Sequence, residues 1–228
     1  MNGLCNTLKG VSIAALIGLS GRVCSQSVQE GNYKLKQPLM IKTAISTQSA
    51  DSDNVINGQI RQLSHETVLS ILPHLLISAP NAAFAIPMIP PLSSWGGNRI
   101  SSTYGWRKHP VKGKLKFHEG IDLAGPPQWV RASGSGWVEK TGFDPSLGNY
   151  VWIDHGNSYR TLYGHLTAIS VMAGQRVAIG DRVGILGKTG NATGYHLHYA
   201  IKKNSRYINP APYLIAAYKV LKSFGIQL

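Results

Sequence analysis

Short runs of β-branched and aromatic residues alternate with turn residues along the second half of the chain. The clearest runs are residues 137–139, 150–153, 159–163 and 196–201, and glycine is concentrated between them. Regular spacing of short strands and turns is typical of antiparallel β proteins. The pattern predicts a mainly β domain over residues 93–228, built as a twisted antiparallel sheet or sandwich with Gly-rich loops.

The segments on either side of this domain have other patterns. After Pro210, apolar positions from Tyr213 to Leu221 predict a short C-terminal helix that caps the sheet, which we favour over binding to a membrane surface. Residues 26–66 are polar with little apolar periodicity, and they predict a flexible spacer with a short helix near its end.

Residues 67–85 are apolar, and a Pro-rich linker follows to residue 92. Two interpretations stay open for the apolar stretch: a second signal-like segment, or a helix packed on the β domain. A membrane-spanning helix is disfavoured because proline interrupts the region repeatedly. The prolines are Pro73, Pro80, Pro87, Pro90 and Pro91.

The first 25 residues predict a secretory signal peptide. Lys9 precedes an apolar stretch over residues 11–19, and small residues follow up to Ser25, where we expect cleavage. The stretch is shorter than the roughly 20 residues of a membrane span. Lipidation at Cys24 is disfavoured because a charged and a bulky residue precede it. We expect an exported protein of the periplasm or cell envelope, with membrane contact only transient or through an uncleaved N-terminus.

Composition limits the function classes without selecting one. Of 228 residues, 43% are hydrophobic and 14% charged, which excludes a wholly disordered chain. Two Cys exclude a disulfide-rich scaffold and a four-thiolate zinc site. The net charge of +13 predicts an anionic partner, which could be nucleic acid, an acidic lipid surface or an acidic polymer. Residues 93–228 hold 17 bases and 6 acids, so +11 of this charge lies on the β domain.

The spacing of certain His and Asp residues indicates a metal site. His196 and His198 are two apart in a predicted strand, so both side chains point to one face, about 6.7 Å apart along the chain. His118 and Asp122 would be about 13 Å apart in an extended strand, so joint ligation needs a bend, which Gly120 permits. Three N and O ligands with a fourth position for water are typical of a catalytic zinc site.

The other histidines have simpler interpretations from spacing. We interpret His155 as a turn residue, and three further histidines as packed or hydrogen-bonded residues: His65, His74 and His109. The string at residues 187–189 is not a phosphate-binding loop, because Arg182 stands where that motif requires Gly.

Longer strings around these residues resemble the lysostaphin-type (LytM-like) zinc metallopeptidases. The matching motifs stand in the family's order at residues 102–107, 117–123, 148–151, 163–166 and 187–199. The resemblance implies one Zn²⁺ per chain, held by the metal ligands His118, Asp122 and His198. It also implies that His165 and His196 are the catalytic pair that does not bind the metal, and it leaves open which is the base and which stabilises the oxyanion.

The function implied by the resemblance is zinc-dependent hydrolysis of the peptide cross-links of bacterial peptidoglycan. The alternative is a non-catalytic cell-wall-binding or amidase-activating module of the same fold, and the presence of all five site residues disfavours it. We expect the protein to be a monomer. Nucleic acid is not an expected partner, because buried sheet aromatics explain the five Trp residues more simply than base stacking. Tyr195 and Ala200 depart from the family, which commonly has Pro and Glu there. Trp129 either packs on the sheet, which we favour, or lines the substrate groove.

Overall fold

The computed structural model describes residues 50–92, 99–108 and 113–216. The predicted signal peptide, the first part of the spacer, His109 and the end of the C-terminal helix lie outside these residues. The described helices are α1 (Ala50–Gln62), α2 (His65–Ser78), α3 (Pro80–Phe84) and α4 (residues 211–216). None of the helices in these ranges has the length and hydropathy that a membrane span requires.

The described part of the chain contains thirteen strands. They are β1 (Arg99–Ser102), β2 (Gly105–Lys108), β3 (Leu115–His118), β4 (Ile121–Ala124), β5 (Trp129–Arg131), β6 (Gly136–Asp144), β7 (Gly148–Gly156), β8 (Tyr159–Leu166), β9 (Ala168–Ile169), β10 (Arg176–Val177), β11 (Arg182–Ile185), β12 (His196–Lys203) and β13 (Arg206–Ile208). An eight-stranded sheet has the order β1-β4-β12-β8-β7-β6-β10, with β13 paired to β12. A three-stranded sheet has the order β5-β11-β9, and β2 pairs with β3.

All of the strand pairings are antiparallel, so the predicted mainly β fold is confirmed. The turn between β7 and β8 is formed by Asn157 and Ser158, whose φ angles of 48° and 64° are typical of a tight hairpin. His155 was expected in this turn, and that prediction is wrong. The strand continues through His155, whose side chain is only 4% exposed, because both ring nitrogens find partners inside the protein.

One face of the eight-stranded sheet forms the hydrophobic core together with the three-stranded sheet and the N-terminal helices. Val151, Tyr163 and Tyr199 contribute from the large sheet, and Val130 and Val183 from the small one. These residues alternate with outward-facing ones along their strands, as expected for a sheet with one buried face.

The opposite face of the large sheet carries the polar site. In β12, Leu197, Tyr199 and Ile201 are buried in the core, so the residues between them point away from it. His196 and His198 therefore share the outer face, as the two-residue spacing predicted.

The N-terminal helices pack on the core face of the sheet. Ile60 of α1 is 1% exposed, and the backbone carbonyl of Ile60 accepts a hydrogen bond of 2.9 Å from Lys203 Nζ. A short helix was predicted near the end of the spacer, and α1 lies there, but its packing on the domain was not predicted. The reason is a sparse helical pattern, in which Ile56, Ile60 and Leu63 meet the core while polar residues fill the other positions.

The apolar stretch after residue 66 is a helix packed on the domain, which was one of its two interpretations. Val68 and Leu72 of α2 lie in the same core as the sheet residues. At the other end of the chain, Tyr213 of α4 is buried, and its hydroxyl lies 3.0 Å from that of Tyr159 in β8. The predicted C-terminal helix thus packs on the sheet over the part that is described.

Candidate active site

Three side chains from three strands bring their donor atoms to one point. His118 Nε2 lies 3.1 Å from His198 Nδ1 and 3.2 Å from Asp122 Oδ1, and His198 Nδ1 lies 3.0 Å from the same oxygen. All three residues are 7–8% exposed. Among the residues the structure describes, this trio is the group of His, Cys, Asp and Glu residues that could hold a metal ion.

The spacing of the triangle fits a zinc ion. Ligand atoms at about 2.0–2.1 Å from a tetrahedral zinc ion stand about 3.3–3.4 Å apart, within about 0.4 Å of the three observed distances. Two imidazole nitrogens and one carboxylate oxygen are donors that zinc prefers, and three protein ligands leave a fourth position for water or substrate.

Strand pairing puts the ligands in place. His198 is directly opposite Asp122 in the β12–β4 register, and His118 ends the strand before β4. Gly120 allows the bend between them, because a Cβ at this position would overlap the Tyr199 carbonyl oxygen and approach His198 Cε1 to 3.0 Å. The predicted bend is present. Glycine is needed at its centre because the chain passes too close to β12 to leave room for a side chain.

Hydrogen bonds to backbone carbonyls set the tautomers of the histidines. A carbonyl oxygen only accepts, so His118 Nδ1 donates to Thr103 O at 2.8 Å, which leaves Nε2 unprotonated in the neutral ring and facing the metal triangle. Arg107 holds the other side of the carboxylate, with Nη2 3.5 Å from Asp122 Oδ2. His118 and Asp122 are therefore each oriented by a partner outside the triangle.

The electrostatics of the triangle keep Asp122 ionised. Burial alone would raise the pKa of Asp122, but the contacts with His118 and His198 outweigh it and hold the pKa well below its usual range. Burial lowers the pKa of His198, which favours the neutral imidazole that a metal ion needs.

His165 and His196 stand beside the triangle with their rings 4.6 Å apart between centroids. His165 Nδ1 donates to Thr189 O at 2.9 Å and His196 Nδ1 donates to Gly194 O at 2.9 Å, so both neutral rings carry an unprotonated Nε2. His196 Nε2 lies 3.8 Å from Asp122 Oδ1, on the side of the metal triangle. Burial, followed by the neighbouring His196, lowers the pKa of His165 to about 4.

The backbone around His165 is unusual. Its φ of +61° lies in the left-handed region, which non-glycine residues avoid at a cost of about 1–3 kcal/mol. Its N–H donates to Leu147 O at 2.6 Å. Gly148 and Gly190 lie in close contact next to Thr189, where a Cβ on either glycine would overlap the opposite segment. These contacts hold the Thr189 carbonyl that orients the His165 ring.

The five residues open into a cleft of about 300 Å³. Its other lining residues are Arg107, Lys116, Phe117, Glu119, Ser146, Leu147, Asn191 and Thr193. Every site residue predicted from sequence thus lies in this one cleft. Trp129 is 36% exposed and packs against Arg182, whose Cζ lies 4.5 Å from its ring centroid, and it does not line the cleft.

Sequence reasoning had assigned no role to Arg107, Thr103 or Thr189. Thr103 and Thr189 act through backbone carbonyls, which carry no residue-type signal. Arg107 stood inside a matching motif, and its place next to a ligand strand was the available signal.

A mainly antiparallel β fold with two His and one Asp around a metal position, beside two further His, is the arrangement expected of a zinc metallopeptidase. Residues 116–210, a little less than half of the chain, match the model of Peptidase family M23. This match confirms the resemblance to the lysostaphin-type enzymes, and the His118, Asp122 and His198 triangle fits the expected single Zn²⁺.

Relatives cover the same region. Peptidoglycan DD-endopeptidase ShyC of Vibrio cholerae serotype O1 is 45% identical over 116 residues, which are 49% of this chain and 26% of the relative. ShyA of the same organism is 46% identical over 121 residues, 51% and 27% of the two chains. This chain thus spans about a quarter of the length of either relative. A solved chain of the SpoIIQ–SpoIIIAH pore-forming complex is 26% identical with a TM-score of 0.51, covering 56% of this chain and 90% of that chain.

Proposed function

We propose that this chain is a zinc-dependent endopeptidase that hydrolyses the peptide cross-links of bacterial peptidoglycan. The observation that carries the proposal is the meeting, in one cleft, of a three-donor metal triangle and two histidines with unprotonated Nε2 atoms. ShyC and ShyA are named peptidoglycan DD-endopeptidases, which supports a cross-link of the DD type as the substrate.

In this proposal His118, Asp122 and His198 hold the ion, and His165 and His196 move protons. A zinc ion held by these residues would act as a Lewis acid toward the scissile carbonyl and would lower the pKa of the attacking water to about 7. The Nε2 atom of one histidine of the pair takes the proton from the attacking water. The other histidine donates a hydrogen bond to the developing oxyanion.

The hydrogen bonds of the pair dictate how many protons it must hold. Both Nδ1–H groups are engaged by carbonyls, so a fully neutral pair offers the cleft two acceptors and no donor. A donor toward the oxyanion therefore requires that the pair carry one additional proton. The 4.6 Å separation of the two ring centroids makes a second additional proton unfavourable, because two adjacent imidazolium charges would repel.

We propose further that the protein is exported with residues 1–25 as its signal peptide and acts as a monomer in the periplasm or cell envelope. Membrane contact is then transient or made through an uncleaved N-terminus. Residues 93–228 form the catalytic domain of this proposal, and the +11 charge of that region suits adsorption to an anionic wall. Helices α1–α3 pack on the face opposite the site, so they leave the cleft accessible.

The test uses the full chain loaded with zinc and incubated with purified sacculi. We expect release of muropeptides, identified by mass spectrometry as products of cross-link cleavage, and loss of release with chelator or with His118→Ala. His74→Ala, on the exposed surface of α2, is the control and should retain activity. A protein that binds zinc yet leaves sacculi and stem-peptide dimers uncut would contradict the proposal.

A second candidate function is a non-catalytic module of the same fold. The similarity to a chain of the SpoIIQ–SpoIIIAH pore-forming complex is the observation that favours it, because that fold serves an assembly there. The intact set of five residues favours catalysis instead. Sacculus binding without any released product, in the presence of bound zinc, is the result that would select the module.

A further inference from the structure

A second cavity, of about 410 Å³, lies on the same outer face of the large sheet as the active site. Its lining residues are Glu139, Lys140, Trp152, Arg160 and Lys202. Two lysines here lie near aromatic rings, and we name Lys140, Trp152, Lys202 and Tyr207 the basic platform. None of the roles proposed above uses these residues.

Strand register fixes the position of the basic platform relative to the metal triangle. In β12, His198, Ala200 and Lys202 point to the same face, and they pair with Gly164, Leu162 and Arg160 of β8 in turn. Lys202 is therefore about 13 Å along the strand from His198, since four residues of a strand rise about 3.3 Å each.

A small apolar cluster joins the two cavities. Its members are Tyr150, Leu162 and Ala200, with Leu147, Trp152 and Tyr207 packed against them. Leu147 lines the active-site cleft and Trp152 lines the second cavity. The platform and the metal triangle are thus two ends of one continuous surface.

The charges of the platform are held in place but not neutralised. Lys202 Nζ lies 4.3 Å from the ring centroid of Tyr207 and 5.0 Å from that of Trp152, and Lys140 Nζ lies 5.7 Å from that of Tyr150. Within the described ranges neither lysine forms an ion pair with a carboxylate.

Arg160, the third cation of the cavity, is already paired. Its Nε lies 3.3 Å from Glu139 Oε2 and 3.5 Å from Asp154 Oδ2. Glu139 and Asp154 are therefore engaged by the arginine. Asp144 interacts with the charge of Lys140, but its Oδ1 accepts hydrogen bonds from the Ser146 and Leu147 N–H groups. Within the described residues no carboxylate forms an ion pair with either lysine, so both ammonium groups can meet an anion from outside.

We propose that the basic platform is a subsite for a carboxylate of the substrate's acidic peptide, bound while the scissile bond lies at the metal triangle. The proposal rests on the proposed peptidoglycan endopeptidase function. The distance of about 13 Å corresponds to about four residues of extended peptide. Charge-assisted hydrogen bonds from Lys140 and Lys202 would recognise the carboxylate.

The test measures binding to the chelated full-length protein, so the result does not depend on turnover. The probes are a synthetic cross-linked stem-peptide dimer with free carboxylates about four residues from the scissile bond, and the same dimer with those carboxylates amidated. We expect amidation to weaken binding by about 3- to 10-fold, because exposed ion pairs each contribute little. Lys140→Gln/Lys202→Gln should weaken binding of the acidic dimer by the same factor as amidation does. The same variant should bind the amidated dimer as tightly as the wild type does.

Two variants serve as controls for fold and net charge. Arg61→Gln/Lys114→Gln removes two exposed charges elsewhere and should keep the preference for the acidic dimer. Lys140→Arg/Lys202→Arg keeps the charge of the platform, so this variant should also prefer the acidic dimer.

The proposal is overturned if amidation and the Lys140→Gln/Lys202→Gln substitution weaken binding additively. It is also overturned if Arg61→Gln/Lys114→Gln reduces the preference for the acidic dimer as much as Lys140→Gln/Lys202→Gln does. A preference that depends on an attached glycan rather than on the carboxylates would also overturn it. Failure of the zinc-loaded protein to cleave the dimers would count against the proposed endopeptidase function alone.

Discussion

His198 of β12 lies directly opposite Asp122 of β4, and its Nδ1 atom is 3.0 Å from the carboxylate Oδ1. The pairing of two central strands therefore builds two thirds of the metal triangle before any loop contributes. The third ligand, His118, arrives through the bend at Gly120. A site built on paired strands is held more rigidly than one built on loops.

Removing either member of the opposed pair should empty the metal site. We expect Asp122→Asn and His198→Ala to reduce bound zinc from about one ion per chain to near zero, measured by elemental analysis after gel filtration. The thermal unfolding temperature of these variants should lose its sensitivity to chelator, because binding to the folded state no longer stabilises it. Glu119→Gln changes a neighbouring carboxylate outside the triangle and should retain the ion.

The strands and the ligands could be predicted because their signals are local. The runs that became β7, β8 and β12 are short, rich in β-branched and aromatic residues and bounded by turn residues, and the ligands lie in short motifs that resemble the lysostaphin-type family. Contacts between distant segments carry no such signal. The contact of Arg107 with Asp122 depends on how the β2–β3 hairpin meets β4, and the burial of His155 depends on partners from two other segments.

Helix α1 shows a different limit of sequence reasoning. The polar composition predicted a flexible spacer with a short helix near its end, but three apolar residues were too few to indicate that this helix packs on the domain. What stabilises it is the core face of the finished sheet, including the hydrogen bond from Lys203 to the Ile60 carbonyl. In such cases tertiary packing decides, and local propensity is a weak guide.

Arg107 should position Asp122 rather than take part in the reaction. Its guanidinium contacts Oδ2, so its loss would free the carboxylate to rotate and to lose its alignment with the metal. We expect Arg107→Gln to weaken zinc binding by about 10-fold or more, measured by competition with a chromogenic chelator. Arg107→Lys should recover only part of this, because an ammonium group lacks the planar reach of guanidinium.

The matched control for Arg107 is Lys116→Gln. Lys116 is the register partner of Arg107 on β3 and also lines the cleft, but it makes no ion pair within the described part of the chain. An equal loss of zinc affinity in both variants would mean that cleft charge, rather than the contact with Asp122, governs metal binding.

The left-handed backbone of His165 predicts that the glycine and alanine variants differ in stability but lose activity alike. A φ of +61° costs glycine little and costs alanine about 1 kcal/mol. The free energy of unfolding of His165→Gly should therefore exceed that of His165→Ala by about 1 kcal/mol, measured by denaturant titration. Both variants should lose about 100-fold or more of cross-link cleavage, since neither can exchange a proton. Chelated protein is used for the unfolding measurement, so that bound metal does not contribute.

A control position separates backbone strain from general effects of glycine. At Lys116 in β3, outside the set of residues with positive φ, the alanine variant should be the more stable of the two. If alanine is also the more stable variant at position 165, the strain assigned to His165 is absent.

His155 predicts a loss of stability in mild acid. Burial lowers its pKa to about 4, with Nδ1 bonded to the Ser135 carbonyl at 2.9 Å and Nε2 lying 2.7 Å from Thr161 Oγ1. Between pH 6.5 and 4 the unfolded chain binds a proton that the folded protein does not, so the free energy of unfolding decreases as pH falls. The full decrease is about 3 kcal/mol for this residue, complete near pH 4 and absent above pH 7.

Urea unfolding of chelated wild type and His155→Gln at pH 7 and pH 5 measures this pH dependence of the free energy of unfolding, and His155→Gln should show the shallower dependence. His65→Gln, at a partly exposed histidine of α2, should match the wild type, and identical dependence in all three proteins would show that His155 does not titrate on unfolding.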